Sequence, residues 1–264
     1  MIQHIITAID KRESQNKIRR IVRNYYIIYW AVLALLICIV ILPFHLHLVP
    51  TANTEPKEAV VKIGTEESMG TGFLISPNYI LTARHVVEDL QIGQTVNIVF
   101  DQAKVSFETT ATIVYYKENV QNDDLAYLES DVAILQLENE VTQISPLELG
   151  NSDEFETGKI VVMGYGLDDW SEPDGKITSA SYHEIKTLYK LDASVNLGHS
   201  GGPVLMYDEQ NKVGKVVGIV IADFSTILTM YTGILIKGES VVLKINQAEK
   251  ILSQGGFQIR EFNY

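Results

Sequence analysis

One long apolar block stands apart from many short ones along this chain. Positions 25–42 read YYIIYWAVLALLICIVIL, eighteen residues without a charge. As a helix rising about 1.5 Å per residue they cover roughly 27 Å, close to the hydrocarbon thickness of about 30 Å. The uncharged stretch 43–49 supplies the remainder, so residues 25–49 are predicted to form a transmembrane helix. Tyr25, Tyr26, Tyr29 and Trp30 cluster at its start, where amphipathic rings favour the membrane interface. A cleaved signal peptide is the rival reading, but the leading segment is long and the apolar run overshoots a usual signal core.

After a short polar linker at 50–57 the pattern changes to brief β-rich runs separated by turn residues. Strands are predicted at 59–63, 72–76, 79–82, 95–100, 105–116, 132–137, 159–164, 185–195, 203–206, 213–221 and 231–236. Such a series predicts an all-β domain, a sandwich or barrel. Helical periodicity enters only at 241–253, where Val241, Val242, Ile245, Ala248, Ile251 and Leu252 recur at helical spacing. Ser240 is placed to cap that helix and Gly255 lies beyond its end.

Charge sharpens the division. The first 24 residues hold six of the 21 basic residues and two of the 33 acidic ones, so the rest carries 15 against 31, a net −16. Basic residues before the span put the N-terminal tail in the cytoplasm and the domain 58–264 outside the cell membrane. So acidic a domain is not built to bind nucleic acid. The single cysteine, Cys38, falls inside the span, which leaves no disulfide framework, thiol nucleophile or cysteine metal site in the outer domain. His45 and His47 lack a third ligand nearby and read as interfacial side chains, so no metal is expected.

The candidate chemistry centres on 196–204, NLGHSGGPV. Ser200 sits among glycines, which let the backbone present a hydroxyl and aim N–H groups at a developing oxyanion. GHSGG also matches the nucleophile elbow of α/β-hydrolases, but those place the histidine after the serine, and none of the six histidines follows Ser200. An order with the acid first leaves only Asp10, across the membrane. The order His, Asp, Ser remains. His85 follows the apolar run YILT, and Asp131 heads the run VAILQL, where a carboxylate can hold an imidazole in one tautomer. Gly70-Thr71-Gly72 is too weak to read as a nucleotide site, because no helix follows it.

TARHVV around His85, SDVAIL around Asp131 and GHSGGPV around Ser200 together resemble the trypsin-like serine proteases, most closely the HtrA/Deg type without its PDZ domain. The resemblance covers about residues 58–252. It implies a double β-barrel with the catalytic site in the cleft, Ser200 as nucleophile, His85 as general base and Asp131 orienting it. It places the oxyanion hole at the N–H groups of Gly198 and Ser200. The run VGIVIAD at 217–223 resembles the strand lining the primary specificity pocket. Ile221, Ala222 and Asp223 would then border the substrate, with Ser194 near the pocket base, and an acidic Asp223 would favour a basic side chain.

The function expected is a membrane-anchored serine endopeptidase acting on extracytoplasmic proteins or peptides, with no cofactor. The alternative is a catalytically latent trypsin-fold binding or sensing module; a third reading is an esterase or amidase sharing the mechanism. One departure bears on this choice: His199 stands where relatives carry Asp or Asn. It is either a tolerated substitution or a pH-sensitive element, since histidine titrates near neutrality. His183 is expected to be exposed.

Overall fold

The computed structural model describes residues 26, 29, 54–65, 69–118, 124–167, 169–208, 212–223 and 240–263. Tyr26 and Tyr29 are helical and exposed; the rest of the predicted span 25–49, and the predicted strand 231–236, lie outside these residues. No helix among the described residues is long and apolar enough to cross a membrane.

Two closed antiparallel barrels make up the domain, as the alternating pattern predicts. The first contains β1 (Val60–Gly64), β2 (Met69–Ser76), β3 (Tyr79–Thr82), β4 (Thr95–Phe100), β5 (Phe107–Tyr116) and β6 (Ala133–Leu137), closed in the order β1-β2-β3-β6-β5-β4. β4 shows why the sequence was legible: Val96, Ile98 and Phe100 are buried, while Thr95 and Asn97 are exposed. The second barrel uses β7 (Gly158–Val162), β10 (Asp174–Ser179), β11 (Leu188–Asp192), β12 (Pro203–Tyr207), β13 (Val213–Asp223) and β14 (Ser240–Lys244). A small hairpin, β8 (Gly164–Gly166) with β9 (Asp169–Ser171), stands between β7 and β10 in sequence.

The C-terminal helix is shorter than expected and runs Ile245–Gln254. Val241 and Val242, assigned by periodicity to its first turn, instead belong to β14, which is paired on one side with β11 and on the other with β13. All five residues of β14 are buried, so it carries no alternation to mark it as a strand. Beyond the helix, Phe262 stacks on Tyr79 of β3 with ring centroids 4.6 Å apart, and Arg260 Nη2 donates to Gly150 O (2.9 Å). The chain end thereby packs back against the first barrel.

Candidate active site

β3 pairs antiparallel with β6, and the register sets Thr82 opposite Ala133. The chain leaving β3 and the chain entering β6 therefore emerge side by side. Three residues past Thr82, within a 3-10 turn (Arg84–Val86), lies His85; two residues before Ala133 lies Asp131. Their 46-residue separation is closed by two hydrogen bonds. The His85 backbone N–H donates to Asp131 Oδ1 (3.0 Å), and Nδ1 of its ring is 2.7 Å from Oδ2. A buried carboxylate only accepts, so Nδ1 carries the proton and Nε2 keeps its lone pair.

Asp131 is fully buried, whereas the His85 side chain is 28% exposed. Burial pulls the imidazole pKa down; the charge and hydrogen bond of Asp131, with Glu88 assisting and Arg84 opposing, outweigh it. The net result is a pKa above the ordinary value of 6.5.

The Ser200 loop belongs to the second barrel but is tied to the first through Thr71 of β2. Thr71 N–H donates to Ser200 O (2.8 Å), and its hydroxyl donates to Gly198 O (2.7 Å) while accepting from Tyr165 N–H (3.1 Å). Thr82 Oγ1 in turn donates to Thr71 O (2.7 Å). Gly201, at φ +82°, lies so close to Thr71 O and Thr82 Oγ1 that a Cβ there would collide with both. The serine backbone is thus fixed against the strand end from which His85 departs.

On the other side of the loop, Leu197 O accepts from Leu167 N–H (2.7 Å). In a trans peptide the N–H points opposite to the C=O, so the Gly198 N–H faces away from Leu167. Gly198 has φ +97°, and Gly201 N–H donates to Val220 O (2.7 Å) of β13.

His199 is fully buried. Its Nδ1 lies 3.1 Å from Asn196 N and 3.3 Å from Asn196 O, and its Nε2 is 2.8 Å from Ser171 Oγ of β9. Gly166 of β8 makes room for this ring: a Cβ there would run into His199 Cε1 and come 2.6 Å from Nδ1. The departure noticed in the sequence is therefore a built-in strut between the loop and the β8–β9 hairpin.

Of the pocket residues expected from sequence, Ser194 is exposed, and Ile221 is 4% exposed with its side chain in the core, so only its backbone can border a substrate. Ala222 and Asp223 pair with Val241 and Ser240 of β14, and Ser240 Oγ donates to Ala193 O (3.3 Å), which brings the 193–194 segment beside this strand end. His183 is exposed, at φ +45° in a turn closed by Tyr182 and Ile185. Thr71, Ser171 and Gly166 were missed in the sequence because each acts through a partner nearly 30 to 130 residues away.

The profile of the family described as "Trypsin-like peptidase domain" matches residues 70–219. Among curated proteins, the chain is 34% identical over 161 residues to the putative mitochondrial protease Do-like 3 of Arabidopsis thaliana, covering 57% of this chain and 25% of that protein. It is 26% identical over 162 residues to the periplasmic pH-dependent serine endoprotease DegQ of Escherichia coli K12, covering 58% of this chain and 31% of that one. The chain thus spans about a quarter to a third of the length of these two relatives. In fold it is similar to Rv3671c from M. tuberculosis H37Rv in an inactive form, with TM-score 0.56 and 23% identity, covering 82% of this chain and 94% of that one. The paired barrels, the sequence around Ser200 and the matched profile lead to one assignment: this chain belongs to the trypsin-like peptidase family.

Proposed function

We propose that this chain is a membrane-anchored serine endopeptidase that cleaves extracytoplasmic proteins through Ser200, His85 and Asp131. The observation that carries the reading is the pair of hydrogen bonds that His85 donates to Asp131, which leaves Nε2 as the basic nitrogen. In the proposed reaction Ser200 Oγ attacks the scissile carbonyl while His85 Nε2 takes its proton. The N–H groups of Gly198 and Ser200 receive the oxyanion; the hydrogen bonds that hold both carbonyls flanking Gly198 support that role. His85 then returns the proton to the leaving amine, and water repeats the sequence on the acyl-enzyme.

Ser194, the backbone of Ile221, Ala222 and Asp223 form the proposed substrate border, with a preference for a basic side chain before the scissile bond. Residues 1–24 are proposed as a cytoplasmic tail, 25–49 as the membrane helix, 50–57 as a linker and 58–264 as the peptidase domain. Periplasmic proteins among the relatives support an extracytoplasmic location.

Incubation of the full chain, in mild detergent, with an unfolded protein and with small esters tests the proposal. Cleavage of the protein that disappears in His85→Ala is the expected result. Ester hydrolysis with the protein left intact would replace the endopeptidase by an esterase, and inactivity on both would favour a latent binding module.

A further inference from the structure

The residue just before His85 is a buried cation, and one of its partners, Tyr127, lies on the segment that delivers Asp131. Arg84 is 4% exposed. Its guanidinium carbon sits 4.1 Å from the centre of the Tyr127 ring, Nε is 3.1 Å from Glu88 Oε2, and Nη1 donates to Lys117 O (3.2 Å) just past the end of β5. Tyr127 OH donates to the other Glu88 oxygen (2.6 Å), so arginine, carboxylate and phenol form a closed triangle. Tyr127 lies in the short helix Asp124–Glu129, which ends two residues before Asp131. The end of that helix is itself locked, because Ser130 Oγ donates to Ala126 O (2.7 Å).

Burying a guanidinium is costly unless it is paired, and an apolar side chain would fill the same space without that cost. Resting on the function proposed above, we propose that Arg84, stacked on Tyr127 and paired with Glu88, is a positioning residue that locks the base-bearing turn to the helix delivering its acid. It touches no substrate; it fixes the distance between His85 and Asp131. The charged groups facing His85 are Asp131, Glu88 and Arg84, and the last two act on its proton affinity in opposite directions. The ion pair therefore also trims the base, each partner cancelling part of the other.

The test follows His85 directly by ring NMR of the full chain, with the signal assigned through His85→Gln. It needs no turnover, so an inactive protein would sink the proposed function and leave this test intact. Arg84→Met should lower the His85 titration midpoint, because a loosened Asp131 bond takes away more than the lost arginine charge gives back, and Glu88→Gln should lower it as well. Arg84→Met and Tyr127→Leu should broaden or abolish the downfield Nδ1–H resonance of the Asp131 hydrogen bond. Arg84→Lys, which keeps the charge without the planar stack, should restore neither the resonance nor the midpoint. Should Arg84→Met fail to fold, Arg84→Lys and Glu88→Gln read the same two quantities. Folded variants with an intact resonance, or a midpoint that rises in Arg84→Met, would overturn the proposal.

Discussion

Asp131 holds His85 at two points, the backbone N–H and ring Nδ1, with both carboxylate oxygens engaged. Orientation and tautomer are set by one buried side chain. Replacing it by Asn keeps the shape but lets an amide NH₂ face Nδ1, which then accepts and leaves the proton on Nε2. Asp131→Asn is expected to lower kcat about 10⁴-fold while the fold survives. Circular dichroism beside kinetics checks this, and a loss under tenfold would deny Asp131 its orienting role.

The raised pKa of His85 has a defined consequence for stability. The folded state binds the proton more tightly than the unfolded chain, so the contribution is fully present below the ordinary value of 6.5. It is lost as pH rises through the folded-state pKa. Melting curves of wild type and His85→Gln should therefore lie further apart in acid than in mild alkali. Curves whose separation stays constant with pH would show that His85 has no raised pKa.

Thr71 joins the barrels at the loop carbonyl of Gly198. Thr71→Val keeps the volume but removes the donor to the half-buried Gly198 O and the buried acceptor for Tyr165 N–H. About 1–3 kcal/mol of stability should go, read by denaturant unfolding. Activity should fall further than this, because the peptide beside the proposed oxyanion hole is released; equal activity in wild type and variant would place the hole elsewhere.

Gly166→Ala places a methyl group against the His199 ring. The ring must shift, loosening its contacts with Asn196 and Ser171. A fall in kcat with little change in KM is expected, since the loop rather than the substrate border moves. A rise in KM alone would mean that this strut serves substrate binding instead.

Local strings carried the parts of the site that local chemistry dictates. Strands with one wet face, such as β4, announced themselves by alternation, and His85, Asp131 and Ser200 each sat in a short informative context. β14 did not, because a strand buried on both faces has the same apolar density as the helix that follows it. β9 and β10 were hidden in a polar stretch with turn-like composition, where pairing with β8, β7 and β11 decides the structure. Thr71 and Arg84 lie inside strings informative for other reasons, Gly70-Thr71-Gly72 and TARHVV, but their own roles are hidden there, because their partners are brought together only by the fold.

The central claim, a competent nucleophile at Ser200 activated by His85, is tested most directly by fluorophosphonate labelling of the full chain with mass-spectrometric location of the adduct. Modification is expected on the peptide carrying Ser200, absent in Ser200→Ala, sharply reduced in His85→Ala, and slowing as the medium becomes acidic. Folded wild-type protein that takes no label from neutral to mildly alkaline pH, or takes it at a residue other than Ser200, would contradict it.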